Sequence, residues 1–256
     1  MDKIKAFVLS AVMTFSVLGY PIAGLSQGQV IQNPEEFRID IDIYNDEKKP
    51  PVNIKTIFID GKYIELNDEG HRITIVDPAI GNITILDTLQ RSRVSFEMTA
   101  LKNQLNNVLQ KMTEEERRKF SSNREPTLDG DLIVLGNDRM VYKFRPMTPN
   151  NPNIAISYGD FANWSVRINA LFLEAAPILR MELNQLLIDQ RQLPLELRRV
   201  KVTPPSNSMP QGKTEEIVAR MFLNEKLSQE DKSRVASVLK SMNEYTKTTD
   251  KEFFLR

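Results

Sequence analysis

Two aspartates on one predicted strand have the best spacing in the chain for carboxylate chemistry. The segment FRIDIDIY, residues 37–44, alternates apolar and polar side chains, which predicts a β-strand with Asp40 and Asp42 on one face. Two residues along a strand span about 7 Å, and paired carboxylates can bind calcium or act as general acid and base. A carboxylate-dependent hydrolase is one hypothesis. The alternative, which we favour, is the solvated face of an edge strand whose charges oppose aggregation.

Apart from these aspartates, few residues suggest catalysis. His71 is the one histidine and the chain has no cysteine, so the usual zinc sites and a cysteine nucleophile are excluded. No serine lies in a G-x-S-x-G motif that could use His71, which follows Gly70 and is expected at a surface turn. The Asp129-Gly130-Asp131 segment lacks the other oxygen ligands of an EF-hand and predicts a plain turn. We expect no catalytic residue, no metal and no cofactor.

The charge balance argues against nucleic acid as a partner. The chain has 34 basic and 34 acidic residues, so no overall positive field attracts nucleic acid or an anionic membrane. Short basic clusters at residues 117–119 and 198–201 have no interleaved aromatic residues on which bases could stack. Glycine-rich phosphate-binding motifs are also absent from the sequence.

Four large apolar side chains are candidates for the lining of a ligand cavity: Phe58, Ile75, Trp164 and Phe172. Two of them lie on predicted strands and two on a predicted helix, so a cavity between these layers could hold a hydrophobic ligand. The alternative is ordinary core packing, because a helix that covers a sheet needs large apolar residues at such positions.

A predicted antiparallel meander over residues 52–96 would position these side chains. Alternating runs are interrupted every eight to twelve residues by turn signals, which include Asp60-Gly61 and Asp77-Pro78. Asp60-Gly61 predicts a type I′ turn, since both central residues of that turn need positive φ. Later segments are predicted to add a hairpin at 131–145 and strands at 154–158 and 195–202. Residues 217–223 suit a strand or a helix, and their alternation favours a strand.

Helices are predicted to cover this sheet. One spans 99–112, and a capping box of Thr113 and Glu116 opens a short second one. A helix pair over 160–190 starts at Asp160 as its N-cap and restarts at Pro177. Ser228 caps a last helix over 229–245.

The predicted fold class is therefore α+β, in which a curved antiparallel β-meander sheet is covered by a pair of helices and a C-terminal helix. Residues 203–212, TPPSNSMPQG, predict a flexible loop. No long internal repeat is evident. The apolar share of 41% and charged share of 27% are typical of a globular protein.

The first 26 residues predict a signal peptide. Lys3 and Lys5 precede an apolar run at residues 6–18, and small residues follow up to Ser26. A membrane anchor is the alternative, but thirteen helical residues rise only about 20 Å, which is short of a bilayer core. Residues 27–256 are then expected to form a single domain with no transmembrane segment, held by its core alone because no disulfide can form.

Two long segments resemble a known family. They read TIFIDGKYIELNDEGHRITIVDPAIGNITILDTLQRSRVSF and YGDFANWSVRINALFLEAAPILRMELNQLLIDQRQLPLELRRVKV. Together they resemble an exported, functionally uncharacterised protein family of planctomycete-type bacteria, which implies export and a shared fold but no catalytic residue. At the level of the fold, the Asp77-Pro78 and Leu86-Asp87 turns also resemble lipoprotein carriers of the LolA/LolB type. That resemblance implies a curved half-barrel with helices over its open face that holds acyl chains.

Three functions follow as expectations. The first is a non-catalytic binding or structural protein of the cell envelope, periplasmic or extracellular, whose partner is another envelope protein. The second is a carrier of a hydrophobic ligand, either a lipid or a lipoprotein acyl chain. The third is a hydrolase centred on Asp40 and Asp42.

The signal peptide can be tested on the exported protein. Cleavage after Ser26 should give a mature chain that begins at or near Gln27, as read by N-terminal sequencing of the exported fraction. A soluble protein that retains Met1 would contradict the prediction.

Overall fold

One sheet contains every strand within residues 36–171, 177–205 and 211–254, which are the residues that the computed structural model describes. The strands are β1 (Phe37–Tyr44), β2 (Val52–Ile59), β3 (Lys62–Asn67), β4 (Arg72–Asp77), β5 (Asn82–Asp87), β6 (Ser92–Glu97), β7 (Thr127–Asp129), β8 (Leu132–Gly136), β9 (Met140–Met147), β10 (Leu193–Thr203), β11 (Lys213–Asn224) and β12 (Thr246–Lys247). The predicted signal peptide, Phe172 and the middle of the predicted loop 203–212 lie outside the described residues.

Six α-helices accompany these strands in the same part of the chain. They are α1 (Met98–Lys111), α2 (Glu114–Phe120), α3 (Pro152–Ala170), α4 (Ile178–Gln190), α5 (Gln229–Ser241) and α6 (Asp250–Phe254). The predicted capping boxes are present at the starts of α2 and α5, on Thr113 with Glu116 and on Ser228 with Asp231.

The twelve described strands form an open, curved sheet in the order β12-β6-β5-β4-β3-β2-β1-β11-β10-β9-β8-β7. Neighbouring strands are antiparallel except β12, which runs parallel to β6. The short turns of the meander can join only antiparallel neighbours. The predicted α+β class and antiparallel meander are therefore confirmed.

The meander repeats with a period of ten residues, which the sequence analysis missed. Its last three turns end on His71, Gly81 and Arg91, with φ of 52°, 64° and 47°. Asn67 and Asp87 accept hydrogen bonds from the backbone N–H three residues later, at 2.7 and 2.8 Å. The segments RITIVD (72–77) and NITILD (82–87) share four of six residues, so part of this period is visible in the sequence.

Backbone angles confirm the predicted turn between β2 and β3. Asp60 and Gly61 have φ of 50° and 71°, the positive pair that a type I′ turn requires.

Strand alternation gives the sheet two apolar faces, each covered by helices. On the helix-pair face, Phe37, Phe58 and Val76 pack in one cluster with Phe161 of α3, and residues of α1 and α6 join them. On the opposite face, which we call the α5 face, Ile57, Ile64 and Ile75 pack against Val235 and Val238 of α5. The predicted cover by a helix pair and a C-terminal helix is therefore confirmed, with one cover on each side.

The predicted strand at 154–158 is wrong, because these residues belong to α3. This helix begins after Asn151, whose side chain accepts a hydrogen bond from the Asn153 N–H at 2.9 Å, and Pro152 occupies its first turn. Asp160 consequently lies in the middle of α3 and is not its N-cap. A short apolar run cannot distinguish a strand from a buried helix segment by periodicity alone.

Helices α3 and α4 approach each other closely at Gly159. A Cβ atom there would overlap Ile188 Cγ1 and lie 2.5 Å from Ile188 Cδ1. The glycine is therefore used for close helix packing rather than for backbone freedom.

We expect Gly159→Ala to lower the free energy of unfolding by about 1–3 kcal/mol, because the overlap outweighs the better helix propensity of alanine. Urea unfolding of Gly159→Ala alone and in an Ile188→Ala background measures the effect. In the second background the overlapping atoms are gone, so the alanine should be neutral or stabilising. Equal effects in both backgrounds would contradict the close contact.

Candidate functional site

A group of buried polar side chains lies where α3 and α4 cover the sheet, and we call it the interface polar cluster. Its members are Thr56, Glu65, Tyr158, Arg180 and Asn184, with exposed fractions of 0%, 7%, 3%, 4% and 1%. Thr56 and Glu65 lie opposite each other in the β2–β3 pair, in register with the residues that face the helices. The cluster therefore places polar groups, one of them a guanidinium, in the largely apolar layer between sheet and helices.

The two helices contribute the other side of the cluster. Arg180 and Asn184 are one helical turn apart on α4 and so share a face. Arg180 Nη2 donates a hydrogen bond to the Tyr158 hydroxyl at 3.3 Å. Asn184 Nδ2 donates to Asn163 Oδ1 on α3 at 2.9 Å. These two bonds join α4 to α3 but use only part of the donors and acceptors present.

Three buried atoms of the cluster have no hydrogen-bond partner among the described residues: Arg180 Nη1, Asn184 Oδ1 and Thr56 Oγ1. No described carboxylate forms an ion pair with Arg180, whose hydrogen bond goes to a neutral phenol. Native proteins pair most buried polar groups, and a buried charge without an ionic partner is costly. The cluster can therefore form several further hydrogen bonds.

The Tyr158 hydroxyl remains protonated at neutral pH. Burial raises the pKa of Tyr158, the neighbouring Arg180 opposes this, and the charge of Glu65 adds to it. Because the hydroxyl accepts the bond from Arg180, its own proton is free to be donated to another group.

Trp164 lies at the margin of this site and is half-buried. The Arg167 guanidinium lies 4.7 Å from the centroid of its ring, and Arg167 Nη1 donates to the Asn163 carbonyl at 3.0 Å. Burial lowers the pKa of Arg167, and the charge of Asp160 opposes this. The cation–π contact fixes the tryptophan beside Asn163, the residue that binds Asn184.

The sheet divides the four predicted cavity residues. Phe58 stacks on Phe37 with ring centroids 4.1 Å apart, and Trp164 packs partly against the same apolar cluster on the helix-pair face. Ile75 points to the α5 face and packs beneath that helix. Phe172 lies outside the described residues. The structure thus brings Phe58 and Trp164 to one face. Val76, which follows Ile75 in the chain, belongs to the same cluster as Phe58 on that face.

Asp40 and Asp42 lie in the middle of the sheet, so the edge-strand interpretation is wrong. Strand β1 is flanked by β2 and β11. Asp40 Oδ2 accepts hydrogen bonds from Arg38 Nη2 at 2.9 Å and from Asn224 Nδ2 at 3.0 Å. Asp42 Oδ1 accepts one from Asn53 Nδ2 at 2.6 Å. Each carboxylate is thus held by hydrogen bonds on the α5 face, and the buried Asp40 Oδ1 has no hydrogen-bond partner among the described residues.

The other motifs form parts of the surface. His71 is exposed and ends the turn between β3 and β4, as predicted. Asp129-Gly130-Asp131 forms the predicted turn, between β7 and β8, and Gly130 has φ of 64°. Within the described ranges, no group of three or more histidine or acidic residues is arranged to hold a metal ion.

Sequence reasoning missed the interface polar cluster, although two signals pointed to it. Thr56 lies between Ile54 and Phe58, in phase with the buried side of β2. On α4, Arg180 and Asn184 are four residues apart, which is about one helical turn, and each directly follows a buried leucine. Their pairing across the interface could not be derived, because it depends on how α4 is rotated against the sheet.

Comparisons with known proteins found no match to any family model or curated protein. None of the helices in the described ranges has both the length and the hydropathy of a membrane span.

Glu182, on α4, has a strongly perturbed carboxyl group. Burial raises its pKa to about 8, while a hydrogen bond from the Ser122 N–H at 3.3 Å opposes the shift. The folded protein therefore binds more protons than the unfolded chain between the ordinary carboxyl pKa of 4.5 and about pH 8. Stability should fall as the pH rises through this window.

We expect Glu182→Gln to remove this loss, because a neutral amide has no charge to desolvate. At pH 9 the variant should be about 1–3 kcal/mol more stable than the parent, and at pH 4.5 the two should be about equally stable. The difference stays this small because the Glu182 carboxyl is partly exposed and solvent screens its charge. Denaturant unfolding at a series of pH values measures this. Gln190→Ala, at an exposed and non-titrating position of the same helix, is the control and should leave the slope unchanged. An unchanged slope in Glu182→Gln would contradict the assignment.

Proposed function

We propose that this protein is an exported, non-catalytic binding protein of the cell envelope whose ligand binds between the sheet and the helix pair α3 and α4. The observation that carries the proposal is the group of buried hydrogen-bonding atoms in the interface polar cluster that have no partner among the described residues. Each unsatisfied buried group costs about 1–3 kcal/mol, which a bound polar ligand would recover.

The surroundings of the cluster favour binding over a purely structural role. Ligand sites are mostly apolar with a few convergent polar groups. Here the cluster is flanked by two apolar groups of side chains, one around Phe58 and Phe161 and the other around Leu183 and Leu187. A purely structural contact between a sheet and two helices gains more from apolar residues of similar volume than from a buried guanidinium.

A non-catalytic role is supported by the hydrogen bonds of Asp40 and Asp42, the two carboxylates that could act as acid and base. Asp40 and Asp42 accept hydrogen bonds from Arg38, Asn224 and Asn53, and Arg38 is also paired with Asp231 at 2.7 Å. Groups engaged in this way stabilise the sheet. Export is supported by the signal-peptide pattern of residues 1–26.

A second candidate is a carrier of a hydrophobic ligand, such as a lipid or an acyl chain. The aromatic side chains beside the cluster favour it, since Phe58 and Phe161 meet edge to face at 5.9 Å and Trp164 is half-buried next to them. The fold-level resemblance to lipoprotein carriers agrees with it. The two candidates differ in whether most of the ligand is polar or apolar.

Native mass spectrometry of the protein purified from the envelope fraction of its source tests the proposal. We expect a bound species that is released on collisional activation, and its mass and partitioning will show which candidate holds. Asn184→Leu removes the amide whose Oδ1 has no hydrogen-bond partner among the described residues, replaces it by an apolar group of similar size, and should lower the occupancy. Gln185→Leu, a neighbouring exposed position, should leave it unchanged. A protein that repeatedly appears at its bare mass would contradict a ligand-binding role.

A further inference from the structure

We infer that the ligand carries a carboxylate, which binds Arg180 and Tyr158 within the interface polar cluster. This inference rests on the proposed function and adds the chemical class of the bound group. It follows from the buried Nη1 of Arg180, from the geometry of the donors around it and from the acceptor that Asn184 supplies.

Arg180 is the cation of the cluster. Its side chain is 4% exposed, and no described carboxylate forms an ion pair with it. Glu65 is the carboxylate of the cluster; it has an interaction partner of its own, and its charge acts on Tyr158. A guanidinium removed from water without direct ionic contact is costly to fold, and an anion that reaches it would recover much of that cost.

The donor geometry favours a carboxylate over other anions. Arg180 Nη2 is bonded to the Tyr158 hydroxyl at 3.3 Å, and Nη1 is buried without a partner. One carboxylate oxygen can accept from Nη1 while the other accepts the phenolic proton of Tyr158, so that both oxygens receive a bond. A phosphate or sulfate has four oxygens. Besides Arg180 Nη1 and the Tyr158 hydroxyl, the cluster offers the hydroxyl of Thr56 as one further donor, so at least one oxygen of such an anion would lack a hydrogen bond.

The remaining free atom of α4 adds a requirement for the ligand. Asn184 Nδ2 is used by Asn163, which leaves Asn184 Oδ1 as an acceptor. Asn184 lies one turn from Arg180, so an O–H or N–H donor near the carboxylate would satisfy it. A hydroxy acid or an acylated amino acid has this combination, and the apolar walls suit an aliphatic side chain.

Isothermal titration with N-acetyl-leucine tests the inference, with N-acetyl-leucinamide as the matched uncharged probe. We expect the acid to bind the full chain and the amide to bind at least tenfold more weakly. Arg180→Gln should weaken binding of the acid about ten- to hundredfold, and Tyr158→Phe should weaken it less, in line with the loss of a charged and a neutral hydrogen bond. Arg199→Gln, a partly buried arginine on β10, is the control and should bind as the parent does.

Stability without ligand gives a second readout. If Arg180 awaits an anion, Arg180→Gln should keep or raise the melting temperature, because it removes a buried charge. A variant that unfolds instead would show that the guanidinium is needed for the fold, and would overturn the inference. Equal binding of acid and amide, or undiminished binding by Arg180→Gln, would overturn it as well.

The outcomes separate this inference from the proposed function. A neutral ligand in the native mass spectrum, with no response to the acid, would leave the proposed function standing and refute the carboxylate. A bare protein that also ignores the acid would refute both. In that case internal water molecules would complete the cluster.

Discussion

A pleated strand sends successive side chains to opposite faces, and this constraint governs the whole molecule. In β2, Ile57 and Ile59 point to one side and Phe58 to the other, and all three are buried. A sheet with apolar residues in both phases cannot remain in water on either side. Helices α3 and α4 cover one face and α5 covers the other. The meander, the helix pair and α5 therefore depend on one another for the burial of their apolar side chains.

The same alternation creates the candidate site. Thr56 and Glu65 occupy positions of the buried phase on the helix-pair face, so their polar groups are carried under α3 and α4 with the apolar side chains around them. Arg180 and Asn184 lie on α4, the helix that covers this face. Such polar groups in a buried layer are costly unless something binds them, and the cluster is therefore the part of the molecule that favours a ligand.

The charged residues that first suggested chemistry have a different role. Asp40, Asp42 and Arg38 lie on the α5 face, where Arg38 links β1 to Asp231 at the first turn of α5. Asp231 also completes the capping box with Ser228, so a single carboxylate ties the start of α5 to the sheet. These contacts position the cover of the second face and account for carboxylates that in isolation resemble a reactive pair.

Alternation, turn residues and capping boxes are local, and for that reason the sequence alone determined the meander, the type I′ turn at Asp60-Gly61, the helix starts at Thr113 and Ser228, and the α+β class. Local signals failed where a short apolar run suits either element, as at residues 154–158. They also could not place β1 in the centre of the sheet, since β11, its partner, lies far away in the chain. Which of Ile75 and Val76 faces α3, and that Arg180 meets Tyr158, was decided only by tertiary structure, because strand phase and helix rotation are set by the packing of distant segments.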